Sequence, residues 1–209
     1  MRKDLTTVKP LFSSFLSCST DTEQILKLLF IETKPYSDKL KRLLLVHNPD
    51  CLDEENEDYK ELIDDYSLGK MIKDGYIRLN PKIERGEHEV IKAYMLLSFD
   101  NFAPSANPEF LDYTINFDII CYMDAWCLDD YKVRPLQICG YIDGILNSIS
   151  NKNKQLYKSN QNIKLSGVGE YKLLGCNEAV LNQDISMYTL SYRGVHFSED
   201  KEQIDKWMS

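Results

Sequence analysis

Long hydrophobic runs are missing from this 209-residue chain. Its unbroken apolar stretches, such as Leu43 to Val46, end after about four residues, far short of the ~18–20 that span a bilayer. Met1-Arg2-Lys3-Asp4 leads into no signal-like apolar segment, so neither a membrane-spanning nor an exported protein is expected. Nine Gly and seven Pro exclude a collagenous or low-complexity chain, and thirteen Tyr with eight Phe are too many for a disordered one. Histidine is scarce: His47, His88 and His196 stand at element boundaries, and no HExxH, GxSxG or P-loop signature occurs. Cys18, Cys51, Cys121, Cys127, Cys139 and Cys176 form no CxxC pair and read as small core hydrophobes of a reducing compartment. A zinc site from Cys121, Cys127, Cys139, Cys176 and His196 is not expected, because their spacing matches no structural zinc motif. No metal and no cofactor follow from the sequence.

What is abundant is acid, and it is concentrated. Nine carboxylates (Asp50, Asp53, Glu54, Glu55, Glu57, Asp58, Glu61, Asp64, Asp65) face one base, Lys60, so this block carries the whole net charge of −8. The rest balances at 24 acids and 24 bases, which does not provide the clustered basic surface that gripping nucleic acid requires. One stretch, Asn151 to Lys164, holds Lys152, Lys154, Lys158 and Lys164 with no acid, and reads as a surface projection toward neighbouring subunits or DNA.

Periodicity divides the chain into an N-terminal helical region, 1–75 with an acidic loop at 48–66, and an α+β core, 76–209, the two forming one compact unit. Asp21 or Thr22 is positioned to cap a helix carrying Ile25, Leu28, Leu29 and Phe30 on one side. A second helix from Ser37 to His47 turns Leu40, Leu43, Leu44 and Val46 inward and Lys39, Lys41 and Arg42 outward. The acidic block reads as a solvated loop, with room for a short helix between Tyr59 and Met71. Beyond it come a short strand at Tyr76–Asn80, a turn at Glu84–Glu87, a central strand from Glu89 to Phe99 covered on both faces, and a loop from Asn101 to Pro108. Strict alternation from Leu111 to Met123 gives the clearest strand. Arg134-Pro135 opens an amphipathic helix through Ile149, and strands follow around Tyr171–Leu174 and from Ile185 to Phe197, with a terminal helix from Glu199 to Met208. This order argues for α+β, a mostly antiparallel sheet of about four long strands flanked by amphipathic helices.

Motifs with chemistry are weak. Gly167-Val168-Gly169 lacks the third glycine of a dinucleotide fingerprint, and a bend in a strand explains it. The acidic run lacks the central glycine of an EF-hand loop. Asp129-Asp130 would suit a small hydrolase, yet no nucleophile stands beside them and Lys132 and Arg134 lie close in sequence. The residues therefore point away from an enzyme.

From Tyr113 to Phe197 the chain resembles a known family. Asn116-Phe117-Asp118-Ile119-Ile120-Cys121, the loop Trp126-Cys127-Leu128-Asp129-Asp130-Tyr131-Lys132, Arg134-Pro135 with its helix, Gly167-Val168-Gly169 and Tyr188-Thr189-Leu190-Ser191-Tyr192 occur in the order of tailed-bacteriophage neck and tail-terminator-like ring proteins, with a flavour of crAss-like phages. The resemblance implies a structural virion protein, made in the host cytoplasm, that forms a homomeric ring of six or twelve copies between head and tail. It also implies contacts with other neck, portal or tail proteins, and DNA passing through without sequence-specific binding. An intracellular adaptor or inhibitor without catalysis is the alternative. On the ring reading, subunit contacts fall to Asp53, Glu54 and Glu55 against Lys39, Lys41 and Arg42 of a neighbour, to Trp126, Asp129, Asp130, Lys132 and Arg134, and to Lys152, Lys154 and Lys158.

Overall fold

The alternating run in the middle of the chain builds the centre of the fold. In a computed structural model that describes residues 14–79, 92–104, 110–150 and 171–197, it forms strand β3 (Phe110–Tyr122), between β2 (Ala93–Pro104) and β5 (Ile185–Phe197). The edges are β1 (Ile77–Arg78) beside β2 and β4 (Lys172–Val180) beside β5. Neighbours run antiparallel except β1 and β2. The class is the expected α+β, with one two-residue strand added to the four long ones. β2 departs in two ways: it lies second from an edge, and it continues through Asn101–Pro104, which reads as a loop in the sequence. A bulge between Asp100 and Ala103 carries the strand across, with Asn101 at φ 52°, a conformation asparagine tolerates better than most residues.

The helices are α1 (Ser14–Lys27), which continues as a π turn over Leu28–Glu32, α2 (Tyr36–Leu45), α3 (Glu57–Asp65), α4 (Leu68–Lys73) and α5 (Arg134–Ser150). α1 begins before Asp21, so Asp21 is not its cap. Asp21 lies inside the helix, buried, where the Tyr113 hydroxyl donates to it at 3.1 Å. The acidic block is not a bare loop either. Asn56 caps α3 by accepting from the Tyr59 amide at 3.3 Å, and Glu57 and Asp58 occupy the first turn, where the helix dipole favours carboxylates. Asp53 to Asn56 form the remaining polar turn. The turn at 84–87, the Gly167 to Gly169 break, the lysines 152, 154 and 158, and the terminal segment 199–208 lie outside the described residues.

Alternation decides which side of the sheet is dry. Tyr113, Ile115, Phe117, Ile119 and Cys121 of β3 share one face with Met95 and Leu97 of β2 and with Leu190 and Tyr192 of β5. α5 covers this face with Ile138, Ile142, Ile145 and Leu146, and α1 and α2 add Ile25, Leu29, Leu40 and Leu43, so the N-terminal helices and the sheet share one core. Each fully buried aliphatic side chain contributes roughly 1.5–3 kcal/mol. On the other face only one end is apolar, a small cluster of Tyr94, Ile120 and Ile185. Among the described residues, no helix is long and apolar enough to cross a membrane.

Burial in this core has a consequence at alkaline pH. The Cys121 thiol is pushed by desolvation from 9.0 up to about 12, and the Tyr192 hydroxyl is also raised, by burial and by its 2.6 Å bond to Asp143. Both groups are neutral when folded at a pH that ionises them when unfolded. Their contribution is therefore complete below the unfolded values and is lost as pH rises toward the folded ones. For Cys121 the shift corresponds to about 4 kcal/mol. Stability measured by urea unfolding should fall steeply above pH 9, and Cys121→Ala should flatten the fall; identical slopes for the two proteins would contradict it.

Candidate functional site

Arg134 is the first residue of α5 and is completely buried, and its guanidinium is received by backbone carbonyls. Its Nε donates to the Ala125 carbonyl at 2.6 Å, Nη1 to those of Leu43 (2.8 Å) and Val46 (2.6 Å), and Nη2 to those of His47 (2.9 Å) and Asn48 (2.8 Å). Nη1 also reaches Cys51 Sγ at 3.5 Å, where burial raises the thiol pKa and the nearby guanidinium partly opposes the rise. A cation at the start of a helix meets the wrong end of the dipole. This one extends away from α5 to the carbonyl end of α2, where the dipole suits it. The interface role expected for Arg134 is thus corrected: its side chain has no surface to offer a neighbour. It ties α2 and the turn after it to the loop that follows β3.

The acidic block finds its basic partners within the same chain. Lys39 Nζ lies 2.7 Å from Glu54 Oε1, and Arg42, expected to face outward, is buried and donates to the Asp53 carbonyl. Lys39 is held above its ordinary pKa by the hydrogen bond it donates to Glu54, and Glu54 below its own by accepting the same bond. A cleft of about 550 Å³ lies here between α2 and α3, lined by Lys34, Lys39, Arg42 and Lys60 and by Asp38, Glu54 and Asp64. Lys41 has its pKa lowered, first by desolvation, with Lys34 adding to the effect against Asp38 and Asp64. Pairing of Lys39 and Arg42 with a neighbouring copy is not needed to explain the charge pattern. Glu55 is exposed, and its backbone amide donates to Asp53 Oδ1 at 2.9 Å.

The loop after β3 keeps part of its expected exposure. Trp126 is half-buried against Tyr188, ring centres 5.9 Å apart. Asp129 and Asp130 are exposed on a 3-10 turn that Asp129 anchors by donating its amide to the Pro49 carbonyl at 3.1 Å. Asp130 pairs with Lys132 at 3.3 Å, and Tyr131 projects fully into solvent. Both Asp130 (φ 59°) and Tyr131 (φ 58°) are left-handed. Arg134 and Trp126 therefore support this loop from beneath, and Asp129, Asp130 and Lys132 form its outer surface.

Two further surfaces are visible only in the fold. On the open face of the sheet, polar side chains bond to one another across strands: Asn116 Nδ2 donates to Asp100 (2.8 Å), the Ser191 hydroxyl to Asn116 (2.7 Å), the Thr189 hydroxyl to Asp118 (2.6 Å), and Arg193 to Asp112 (2.5 Å). At the sheet edge, the outer side of β4 has no strand partner among the described residues. β4 and the residue after it expose Leu173, Leu174, Val180 and Leu181. The sequence signals β4 only through Tyr171, Leu173 and Leu174; its edge position depends on which strand β5 selects on its other side, which no local pattern encodes.

Among curated proteins and among solved structures nothing matches the chain. A family model, YomW, matches residues 23–193, a span that includes β1 to β4, most of β5, the Arg134 cluster and the loop after β3. The chain belongs to the YomW family, named after a protein of an SPBc2-like Bacillus phage region, a name that suggests a phage-associated protein.

Proposed function

We propose that this chain is a structural phage protein that assembles with copies of itself into a ring at the head-to-tail connection, with β4 as one of its contact surfaces. The observation that carries the reading is the nine-residue edge strand with its exposed leucines and valine. An unpaired apolar edge invites further pairing, and natural monomers usually blunt such edges. A ring needs β4 to meet a different surface on the next copy, because a patch that meets itself closes a dimer. The open sheet face suits a surface that DNA slides past. Its donors and acceptors are bonded to one another, and Asp100, Asp112 and Asp118 disfavour tight phosphate binding. The phage region after which the family is named supplies the setting.

Native mass spectrometry of the purified chain, with electron microscopy of phage particles, tests this. Six or twelve copies are expected, and Leu174→Lys combined with Val180→Lys should return monomer with an unchanged melting temperature. A monomer at all concentrations, with no copies in the particle, would overturn the proposal.

A further inference from the structure

Two cysteines far apart in the chain meet beside the β4 edge. Cys176 pairs with Leu190 across β4 and β5, and cross-strand partners share a face, so Cys176 lies on the helix-covered side of the sheet. Cys139 is buried on α5 one turn before Asp143, whose bond to Tyr192 lays α5 along β5, so Cys139 faces the part of the sheet where Leu190 and its strand partner Cys176 stand. Cys176 is exposed and Cys139 is not. The setting is otherwise fixed: the Tyr192 hydroxyl donates to Asp143 at 2.6 Å and the Tyr188 hydroxyl to Glu178 at 3.0 Å, holding the strand residues around the pair. Among the described residues β4 has a strand neighbour on one side only, so it can shift the short distance that an S–S bond of about 2.05 Å requires.

We propose that Cys139 and Cys176 form a reactive dithiol that a low-molecular-weight disulfide, such as oxidised glutathione, converts to an intramolecular disulfide stapling β4 to α5. Cys176, as thiolate, attacks one sulfur of the oxidant; that S–S bond breaks, and the first glutathione leaves and takes up a proton. Cys139 then gives its proton to solvent, attacks Sγ of the Cys176 mixed disulfide, and expels the second glutathione. Two protein thiols are oxidised to one disulfide, and one oxidant disulfide is reduced to two thiols. Burial and the neighbouring sulfur hold Cys139 protonated above the ordinary thiol range, so its attack is the slow step and accelerates with pH. Of the other described cysteines, Cys121 lies on the covered face of β3 near Cys139 but is fully buried, Cys51 lies against Arg134, and Cys127 is on the exposed loop after β3. A chain made in a reducing cell would acquire the staple on reaching an oxidising medium. This chemistry does not depend on ring formation.

The test uses the full-length protein incubated with oxidised glutathione, followed by intact mass and peptide mapping. The expected product is two hydrogens lighter, with a peptide joining residues 139 and 176, a raised melting temperature relative to the dithiothreitol-treated protein, and formation that accelerates roughly tenfold per pH unit below the Cys139 pKa. Cys139→Ser should stop at the glutathione adduct on Cys176, and Cys176→Ser should give no intramolecular disulfide, whatever glutathione adduct forms on exposed Cys127. A wild-type protein that retains glutathione on Cys176 with Cys139 free, or a link between other cysteines, would overturn the proposal. Because wild-type mapping reads the bond directly, a poorly folded variant does not remove the test.

Discussion

Replacing Arg134 with methionine should destabilise the fold by roughly 3–5 kcal/mol, the range seen when one member of a buried charged network is removed. Five carbonyls lose a donor at once, and four of them, on Leu43, Val46, His47 and Ala125, depend on Arg134 more than Asn48 does, which keeps the Cys51 amide at 3.3 Å. Each unpaired buried acceptor costs about 1–3 kcal/mol, and partial hydration of the outer two, His47 and Asn48, keeps the total below the sum. Arg134→Lys keeps the charge but offers three donors in place of the guanidinium fork, so it should recover only part of the loss. Urea unfolding followed by circular dichroism gives both values. A methionine variant within about 1 kcal/mol of wild type would show that the five bonds contribute little net stability.

Gly194→Ala should also be costly, for a steric reason. A Cβ built at Gly194 would lie 2.6 Å from two ring carbons of Tyr113 and 2.9 Å from its hydroxyl. The ring has little freedom to retreat: its hydroxyl donates to buried Asp21, Phe102 stacks on it at 6.2 Å, and Phe99 flanks it at 5.8 Å. Overpacking of this kind costs typically about 1–3 kcal/mol. The same geometry makes the effect conditional on Tyr113. In a Tyr113→Ala background the added methyl enters a cavity, so a double-mutant cycle should show strong non-additivity, with the alanine at 194 nearly neutral or stabilising. Additive losses in the cycle would mean that the clash is relieved by backbone movement elsewhere.

The parts of the fold that were legible in the sequence are those whose signal is local. The β3 and β5 alternation and the apolar stripe of α5 each repeat over a dozen residues or more, and the structure places their inward residues on one dry face. Asp21 misled because the rule for caps considers only neighbours in sequence, whereas its partner, Tyr113, stands on β3. Helical spacing puts Arg42 on the outer side of α2 and the ring reading puts Arg134 at a subunit contact; both are satisfied by backbone carbonyls of remote or looped segments, which neither reading displays. The acidic block reads in the sequence as a solvated loop because nine carboxylates facing one base should repel one another along the chain. Its first helix turn, the Asn56 cap and Lys39 supply the compensating terms. Of the candidate surface residues, Asp129, Asp130 and Lys132 could be placed outside from turn chemistry, but the β4 edge and the Cys139–Cys176 meeting depend on sheet order.

Arg134 also bears on the time course of folding. Its acceptors divide between the end of α2 and the loop after β3, segments more than 75 positions apart in the chain. The guanidinium must lose its water before those carbonyls are all in place, so neither half of the chain gains from it alone. Contacts of this separation form after loop closure, close to the native state. The residue should then act as a latch on the unfolding side: Arg134→Lys in stopped-flow measurements is expected to speed unfolding and leave the refolding rate nearly unchanged. Resistance to opening would on this basis reside in one side chain that makes no contact with the outside.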